Sequence, residues 1–111
     1  METIHKIGRR KTAVARVYLS EGKGEVTIND RKLDNYFTTE TLKYKVLQPL
    51  TLTENLSSYD IKAKVFGGGI TGQAEAIRLA ITRALVEVNE EFKSVLKPEG
   101  LLTRDPRMVE R

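Results

Sequence analysis

The sequence contains no cysteine and no tryptophan, and it has a single histidine. Without cysteine the chain can form neither a disulfide framework nor a cysteine-ligated zinc site, so it suits a reducing compartment without requiring one. No apolar run approaches the length of a membrane span, and the first residues lack the apolar stretch of a secretory signal. We therefore expect a cytosolic protein. It should form one domain, because 111 residues suffice for a modest core but not for a second, catalytic module.

Groups suited to acid–base or nucleophilic catalysis are also scarce. His5 lies in a basic segment where nothing fixes its tautomer, so a solvated or phosphate-facing imidazole is expected. Glu90 and Glu91 are adjacent, hence about 100° apart on a helix, and cannot converge like a glycosidase pair. The sequence therefore predicts a protein that is not an enzyme, with no catalytic residue, cofactor or metal.

Charge is unevenly distributed along the chain, whose formal net charge is +4. Residues 1–16 carry five basic side chains against one acidic side chain, residues 17–102 carry 11 basic and 12 acidic ones, and the last nine carry three basic and two acidic ones. A nearly neutral globule with basic ends, the densest cluster being Gly8-Arg9-Arg10-Lys11, is typical of a protein that binds nucleic acid. Solvated termini are the alternative interpretation.

Residues 67–85 combine a glycine-rich turn with an alanine-rich helix. Gly67, Gly68 and Gly69 permit positive φ and the close approach of another backbone, while Thr71 can cap the helix that follows. The free N–H groups at the start of such a helix attract an anion, and a phosphate is the obvious candidate.

The spacing of Gly67, Gly69 and Gly72 also matches the G-x-G-x-x-G pattern of dinucleotide-binding folds. That fold buries both faces of its strands, whereas the preceding strand has one wet, basic face: Tyr59, Ile61, Ala63 and Val65 alternate with Asp60, Lys62, Lys64 and Phe66. No Gly-Lys-Ser/Thr follows, and no strand ends in an acidic residue about 20 residues further on. A small nucleotide-binding enzyme that uses this turn therefore stays only as the alternative function.

The first half of the chain predicts a hairpin and two short helices. Residues 13–19 and 25–28 are β-rich and are separated by a turn with two glycines, and residues 6–11 lead into the first strand as an extended arm. The two short helices follow from periodicity and capping. Asn29-Asp30 caps the first helix, whose apolar residues are Leu33, Tyr36 and Phe37. Thr38 or Thr39 caps the second helix, which ends at Pro49 and whose apolar residues are Leu42, Val46 and Leu47.

The second half predicts a strand over residues 59–66, a long helix over about 72–88 and a last helix capped by Asn89. The apolar stripe of the long helix comprises Ala74, Ile77, Ile81, Ala84, Leu85 and Val88. These elements indicate a single α+β domain in which a mostly antiparallel sheet packs on helices. We divide it into a basic arm (1–12), a globular core (13–102) and the start of a basic extension (103–111).

Two groups of cations are candidates for phosphate contacts. Lys62 and Lys64 lie on the strand that enters the glycine turn and Arg78 on the helix that leaves it, so we expect three cations around one anion-binding backbone. In the extended arm, Arg9 and Lys11 lie on one side and Arg10 on the other. Ordinary solvated charges and weak helix ion pairs are the alternative for these residues.

Three blocks of the sequence resemble a known family. They are Gly8-Arg9-Arg10-Lys11-Thr12-Ala13-Val14-Ala15-Arg16-Val17; Gly67-Gly68-Gly69 with Gly72-Gln73, Ala76, Arg78 and Arg83-Ala84-Leu85; and Thr103-Arg104-Asp105 with Val109-Glu110-Arg111. In this order, over nearly the whole chain, they resemble the family of the ninth protein of the small ribosomal subunit, in its bacterial form.

The resemblance implies a fold, a function and partners. The fold is a sandwich like the second domain of the fifth small-subunit protein, with a left-handed βαβ crossover. The function is that of a structural constituent of the subunit head, which binds the 3′ major domain of the ribosomal RNA and lies beside other head proteins, and which supports translation near the peptidyl-site tRNA. The RNA contacts carried onto this chain are Arg9, Arg10, Lys11, Arg16, Gly67, Gly68, Gly69, Gly72, Gln73, Arg78, Arg83, Arg104 and Arg107.

The end of the sequence departs from the family pattern. Family members usually continue past Val-Glu-Arg with a Lys/Arg-rich tail that reaches the peptidyl-site tRNA, and these 111 residues stop at Arg111. We therefore expect a tRNA contact only through a tail that is absent here. A module whose basic arm binds an acidic protein is a third possible function.

Overall fold

The computed structural model describes residues 3–10, 12–54, 58–92 and 96. The strands are β1 (Ile4–Arg10), β2 (Ala13–Glu21), β3 (Val26–Ile28), β4 (Arg31–Lys32) and β5 (Tyr59–Phe66), and the helices are α1 (Leu33–Tyr36), α2 (Glu40–Leu52) and α3 (Ile70–Val88). The strands form one mixed sheet in the order β1-β2-β5-β3-β4, with helices packed on it. The predicted α+β class is confirmed.

Strand β5 occupies the centre of the sheet. It pairs antiparallel with β2 and parallel with β3, while β1 and β4 pair antiparallel with β2 and β3 at the two edges. The predicted hairpin between residues 13–19 and 25–28 is therefore wrong, because β5 lies between those two strands. A local turn signal cannot reveal a strand that comes more than thirty residues later and hydrogen-bonds to both.

The basic N-terminal segment is extended, as expected, but residues 4–10 form an edge strand of the sheet instead of a free arm. Gly8 is buried against α3, and a β-carbon there would clash with the carbonyl oxygen of Ala76 and lie 2.8 Å from the nitrogen of Ala80. The glycine thus lets two backbones meet. Arg10 ion-pairs with a side chain of α3 while Arg9 lies on the opposite side, as the alternation predicts; Lys11 lies outside the described residues.

The core lies between the sheet and α3. Alternate residues of β2 and β5 are buried there: Ala13, Ala15, Val17 and Leu19 of β2, and Ile61, Ala63 and Val65 of β5. The predicted stripe of α3 is also buried, except for the half-buried Val88; its buried members are Ala74, Ile77, Ile81, Ala84 and Leu85. Ala76 and Ala80 are also buried, and their small side chains let β1 approach the helix closely. Of the helices in the described part of the chain, none is long and apolar enough to cross a membrane.

Three predicted helix ends differ from the observed ones. Asn29 and Asp30 have φ of 51° and 68° and form the two-residue turn between β3 and β4, the geometry that such turns require, so they cap no helix. Pro49 lies inside α2, which continues to Leu52, since proline lacks only its own N–H and the N–H of Thr53 still donates to the carbonyl of Pro49 (3.2 Å). Helix α3 begins at Ile70 after the N-cap residue Gly69, so Thr71 lies within the first turn.

Other predicted elements agree with the structure. Leu33 and Phe37 are buried around α1, α2 starts after Thr39, and β5 has its predicted bounds. The side-chain oxygen of Asn89 accepts a hydrogen bond from the N–H of Glu91 (2.9 Å), as expected of a cap, although most of the helix predicted after it lies outside the described residues.

The close approach at Gly8 generates a prediction about stability. Gly8→Ala should lower the free energy of unfolding by about 1–3 kcal/mol, since the methyl group has no space against α3. Gly69→Asn is the matched control, because a side chain there enters open space and asparagine is a favoured N-cap residue. Thermal unfolding of both variants is the measurement, and equal melting temperatures would show that β1 does not press on the helix.

Candidate nucleic-acid interface

Over β1, β2 and β5, no helix of the described residues covers one face of the sheet. Residues paired across these strands share a face, so the alternation that buries one set of side chains points the other set outward. We call this surface the open face. It consists of three cross-strand rows: Arg9, Val14 and Phe66; Ile7, Arg16 and Lys64; and His5, Tyr18 and Lys62.

The open face is positively charged. Arg16 lies directly opposite Lys64, and like charges in that position repel each other. Lys64 pairs with Asp30 at 3.3 Å, but both side chains are largely exposed and the pair is weak. Among the described residues, Arg9, Arg16 and Lys62 have no ion-pair partner. An external anion would therefore relieve a repulsion that the protein itself leaves in place.

Asp60 is an acidic residue at the end of this face, and its carboxylate binds main-chain N–H groups of the protein itself. One carboxylate oxygen accepts hydrogen bonds from the N–H groups of Lys23 (3.0 Å), Gly24 (3.1 Å) and Glu25 (2.9 Å). The bond from Glu25 is the main cause that lowers the pKa of Asp60; burial opposes it, and the other two amides and the charge of Lys23 reinforce it. Asp60 thereby fixes the loop from β2 to β3, beside a groove of about 490 Å³ that Tyr18 and Lys62 also line.

On the helix side, Glu75 of α3 binds two cations. Arg10 Nε donates to one carboxylate oxygen at 2.7 Å and Lys45 Nζ to the other at 3.0 Å. Burial by itself would raise the pKa of Glu75, but the hydrogen bonds and charges of Lys45 and Arg10 outweigh it, so the pKa is lowered. Arg10, a predicted RNA contact, thus joins β1 to α3, and the same carboxylate joins α3 to α2 through Lys45.

Two further predicted RNA contacts also have partners within the protein. Arg78 donates to the side-chain oxygen of Gln48 on α2 (3.2 Å), and Arg83 donates to the main-chain carbonyl of Ile7 in the edge strand β1 (2.7 Å). Arg78 therefore lies in the helix layer, whereas Lys62 and Lys64 lie on the open face. The predicted cluster of three cations around one turn is wrong, because the strand and the helix present them on opposite sides of the sheet.

The glycine turn divides into an inward and an outward part. Gly67 and Gly68 have φ of 80° and 59°; a β-carbon on Gly67 would clash with the carbonyl oxygen of Thr12, and one on Gly68 would lie 2.9 Å from the β-carbon of Ala13. These two glycines serve the fold. Gly69 has φ of −97° and open space where a β-carbon would be, and no side chain caps α3. At Gly72 a β-carbon would make only ordinary contacts with Ala13 and Arg10.

Gln73, another predicted RNA contact, is engaged at both ends of its amide. Its nitrogen donates to the carbonyl of Gly67 (3.1 Å), and its oxygen accepts from the Tyr36 hydroxyl (2.7 Å). Asn29 continues this network, since its side chain donates to Tyr36 (3.4 Å) and bonds both the N–H and the carbonyl of Val65. The network fixes the glycine turn to α1 and to the β3–β4 turn.

Comparison with known proteins gives the family. The family model described as ribosomal protein S9/S16 matches residues 8–111. The chain belongs to this family of ribosomal proteins. Proteins named small ribosomal subunit protein uS9 are 70% identical in Christiangramia forsetii, 63% in Flavobacterium psychrophilum and 60% in Cytophaga hutchinsonii, in each case over 100% of this chain and 87% of the relative.

Membership in this family leaves the alternative of a nucleotide-binding enzyme without support. The sheet also disagrees with a dinucleotide-binding fold, because it is mixed and mostly antiparallel, whereas the sheet of a doubly wound fold is parallel. In the described part of the chain, no group of three or more histidine, aspartate or glutamate side chains is placed to hold a metal ion. Arg104 and Arg107 lie outside the described residues.

The RNA contacts predicted from the sequence include none of the aromatic residues of this surface. Tyr18 and His5 lie on the open face as stacked rings, and Phe66 lies at its edge. The alternation of β5 already places Phe66 on the same face as Lys62 and Lys64, and the same period of two in β1 and β2 is the signal that could have found His5 and Tyr18. Asp60 and Glu75 gave no such signal, since their partners are distant in the sequence.

The lowered pKa of Asp60 predicts how stability depends on pH. A carboxylate whose pKa is lower in the folded than in the unfolded chain stabilises fully above the unfolded value, near 3.8, and loses that contribution as pH falls through the folded pKa. Asp60→Asn should therefore be less stable than the wild type at neutral pH, and the difference should shrink in acid. Urea unfolding across this pH range tests it.

Asp34→Asn is the control for that experiment, because it removes an exposed carboxylate that pairs only with a lysine side chain among the described residues. Its stability should follow the wild-type pH curve more closely than that of Asp60→Asn. Parallel curves for Asp60→Asn and the wild type would contradict a stabilising charge at Asp60.

Proposed function

We propose that this chain is a structural, non-catalytic constituent of the small ribosomal subunit and that it binds ribosomal RNA with its open face and with the outward part of the glycine turn. The observation that carries this proposal is the sorting of cations. Partners within the protein bind the helix-side cations Lys6, Arg10, Lys45, Arg78 and Arg83, whereas Arg9, Arg16 and Lys62 on the open face have none among the described residues. The names of the relatives support the subunit assignment.

The candidate RNA contacts have different roles in this proposal. Arg9, Arg16, Lys62 and Lys64 bind phosphates directly, and Gly69 allows the RNA backbone to approach the start of α3; the missing side chain of Gly72 faces Ala13 and Arg10 instead. Gly67, Gly68 and Gln73 shape the turn from within. Arg10, Arg78 and Arg83 hold the elements together and contact RNA at most with their remaining N–H groups. Lys11, Arg104 and Arg107 stay predictions.

The location within the subunit is a further part of the proposal. The resemblance supports a place in the head, on the 3′ major domain of the ribosomal RNA and beside other head proteins, with translation near the peptidyl-site tRNA as the process served. A contact with that tRNA would belong to a basic tail and not to the described residues.

We also propose the left-handed sense for the connection from β3 to β5, as in the second domain of the fifth small-subunit protein. The parallel pairing of β3 and β5, with α1 and α2 between them in sequence, supports a crossover of the βαβ type. Superposition on that domain tests the proposal, which requires matching strand order and matching positions of the helices; a right-handed connection, the usual sense, would contradict it.

Charge removal on the open face should weaken RNA binding. Arg16→Ala and Lys62→Ala should each reduce affinity for a transcript of the 3′ major domain and lower the salt slope by about 0.7–0.9 per lost phosphate contact. Lys43→Ala removes the same charge from the helix layer, where Lys43 pairs with Asp34, and is the matched control. Filter binding at several salt concentrations measures both quantities. An equal loss in all three variants would mean that only net charge matters and that the open face is not the site.

The outward part of the glycine turn can be tested without disturbing the fold. Gly69→Asp and Gly69→Asn both introduce a favoured N-cap residue into open space, so both should leave the melting temperature close to that of the wild type. A nearby phosphate would repel only the aspartate, by about 1 kcal/mol in a solvated site, or about fivefold in affinity. Equal RNA affinities for the two variants would place the RNA away from this turn.

A further inference from the structure

The last residue of β5 leaves more than half of an aromatic side chain exposed. Phe66 is 55% exposed, whereas the alternate residues of the same strand on the other face are buried. Across the strands its neighbours are the half-buried Val14 and the exposed Arg9. More than half of the apolar surface of Phe66 is therefore accessible to a ligand.

The other two aromatic rings of the open face each have one side covered. His5 and Tyr18 stack on each other with ring centroids 4.5 Å apart and planes 5° from parallel. Among the described residues, Phe66 stacks on no other ring. Phe66 is therefore the ring of the open face that no other described ring covers on either side.

Cations surround this ring on the same surface. Lys64 and Lys62 precede Phe66 at alternate positions of β5, so the three side chains form a line with spacings of about 6–7 Å. Arg16 lies beside Lys64 on β2, and Arg9 ends the row that contains Phe66. Such an arrangement suits a single strand of RNA, because its phosphates pair with cations while its bases stack on aromatic rings.

The exposed ring also selects between forms of RNA. In a duplex the faces of the bases are covered by their stacked neighbours, so only phosphates and groove edges are accessible to a sheet. An unpaired nucleotide can turn its base onto a side chain. Cations alone would serve either form of RNA, but an exposed phenylalanine is useful only for the unpaired form.

We infer that Phe66 is the stacking site for an unpaired nucleotide of the ribosomal RNA, whose flanking phosphates bind Lys64, Arg16 and Arg9. The inference rests on the proposed function, since it takes ribosomal RNA as the ligand of the open face. It adds a defined contact to that function: one base lies on the ring of Phe66, and the strand continues along β5.

The absence of tryptophan from this sequence permits a direct test. Phe66→Trp introduces a single tryptophan at an exposed position, and a base stacked on its indole ring quenches the fluorescence. Tyr44→Trp is the control, because Tyr44 is 59% exposed but lies on α2 in the helix layer. Each variant is titrated with a transcript of the 3′ major domain and with a fully paired RNA duplex, and binding is measured in parallel by filter retention.

We expect the transcript to quench the fluorescence of the Phe66→Trp variant strongly and that of the Tyr44→Trp variant little. The duplex should bind to the Phe66→Trp variant without quenching it. In addition, Phe66→Leu should bind the transcript about tenfold more weakly, whereas Phe66→Tyr, which keeps the ring, should bind like the wild type.

Transcript binding without quenching of the Phe66→Trp variant, together with undiminished binding by Phe66→Leu, would overturn the stacking site and leave the proposed function intact. A change in the emission of the Phe66→Trp variant only when other head proteins are added would assign the ring to a protein neighbour and also overturn the stacking site. Failure of the wild type to bind the transcript at all would overturn the proposed function as well.

Discussion

The position of β5 between β2 and β3 is the constraint on which the rest of the structure depends. Its hydrogen bonds to both neighbours unite two parts of the sheet that come from different stretches of the chain. Its alternation then separates two environments, because Ile61, Ala63 and Val65 enter the core while Lys62, Lys64 and Phe66 line the open face. The strand also delivers the chain into the glycine turn and so determines where α3 begins.

Electrostatics follows from that separation. Cations on the helix side lie within reach of acidic or polar partners because α2, α3 and β1 approach one another there: Glu75 binds Arg10 and Lys45, and Glu87 binds Lys6 at 3.2 Å. The open face has no second layer of described residues that could supply such partners. Its charges therefore face solvent and are available to a polyanion, although the chain as a whole carries only +4.

The glycine turn shows how one motif can serve two purposes. Gly67 and Gly68 are required by the left-handed backbone and by the closeness of Thr12 and Ala13, and the amide of Gln73 fastens the turn from the other side. These requirements are internal and would exist without RNA. Gly69 meets none of them, and this residue is the one at which the uncapped start of α3 is open to a ligand.

The sequence by itself determined the elements whose signals are local and strongly periodic. The alternation of residues 59–66 defined β5 and its basic face, the stripe from Ala74 to Leu85 defined the buried side of α3, and the three motif blocks indicated the family. Only the tertiary structure decided which strands pair, that residues 4–10 join the sheet, and which cations are free. Arg9 and Arg10 are adjacent in sequence, yet Arg10 binds Glu75, 65 residues away, and Arg9 remains on the open face. The alternation of an extended strand places the two arginines on opposite sides, but it does not show which side has a partner. A side chain is satisfied by whatever the fold brings within about 3 Å of it, and in this chain those partners come from distant segments.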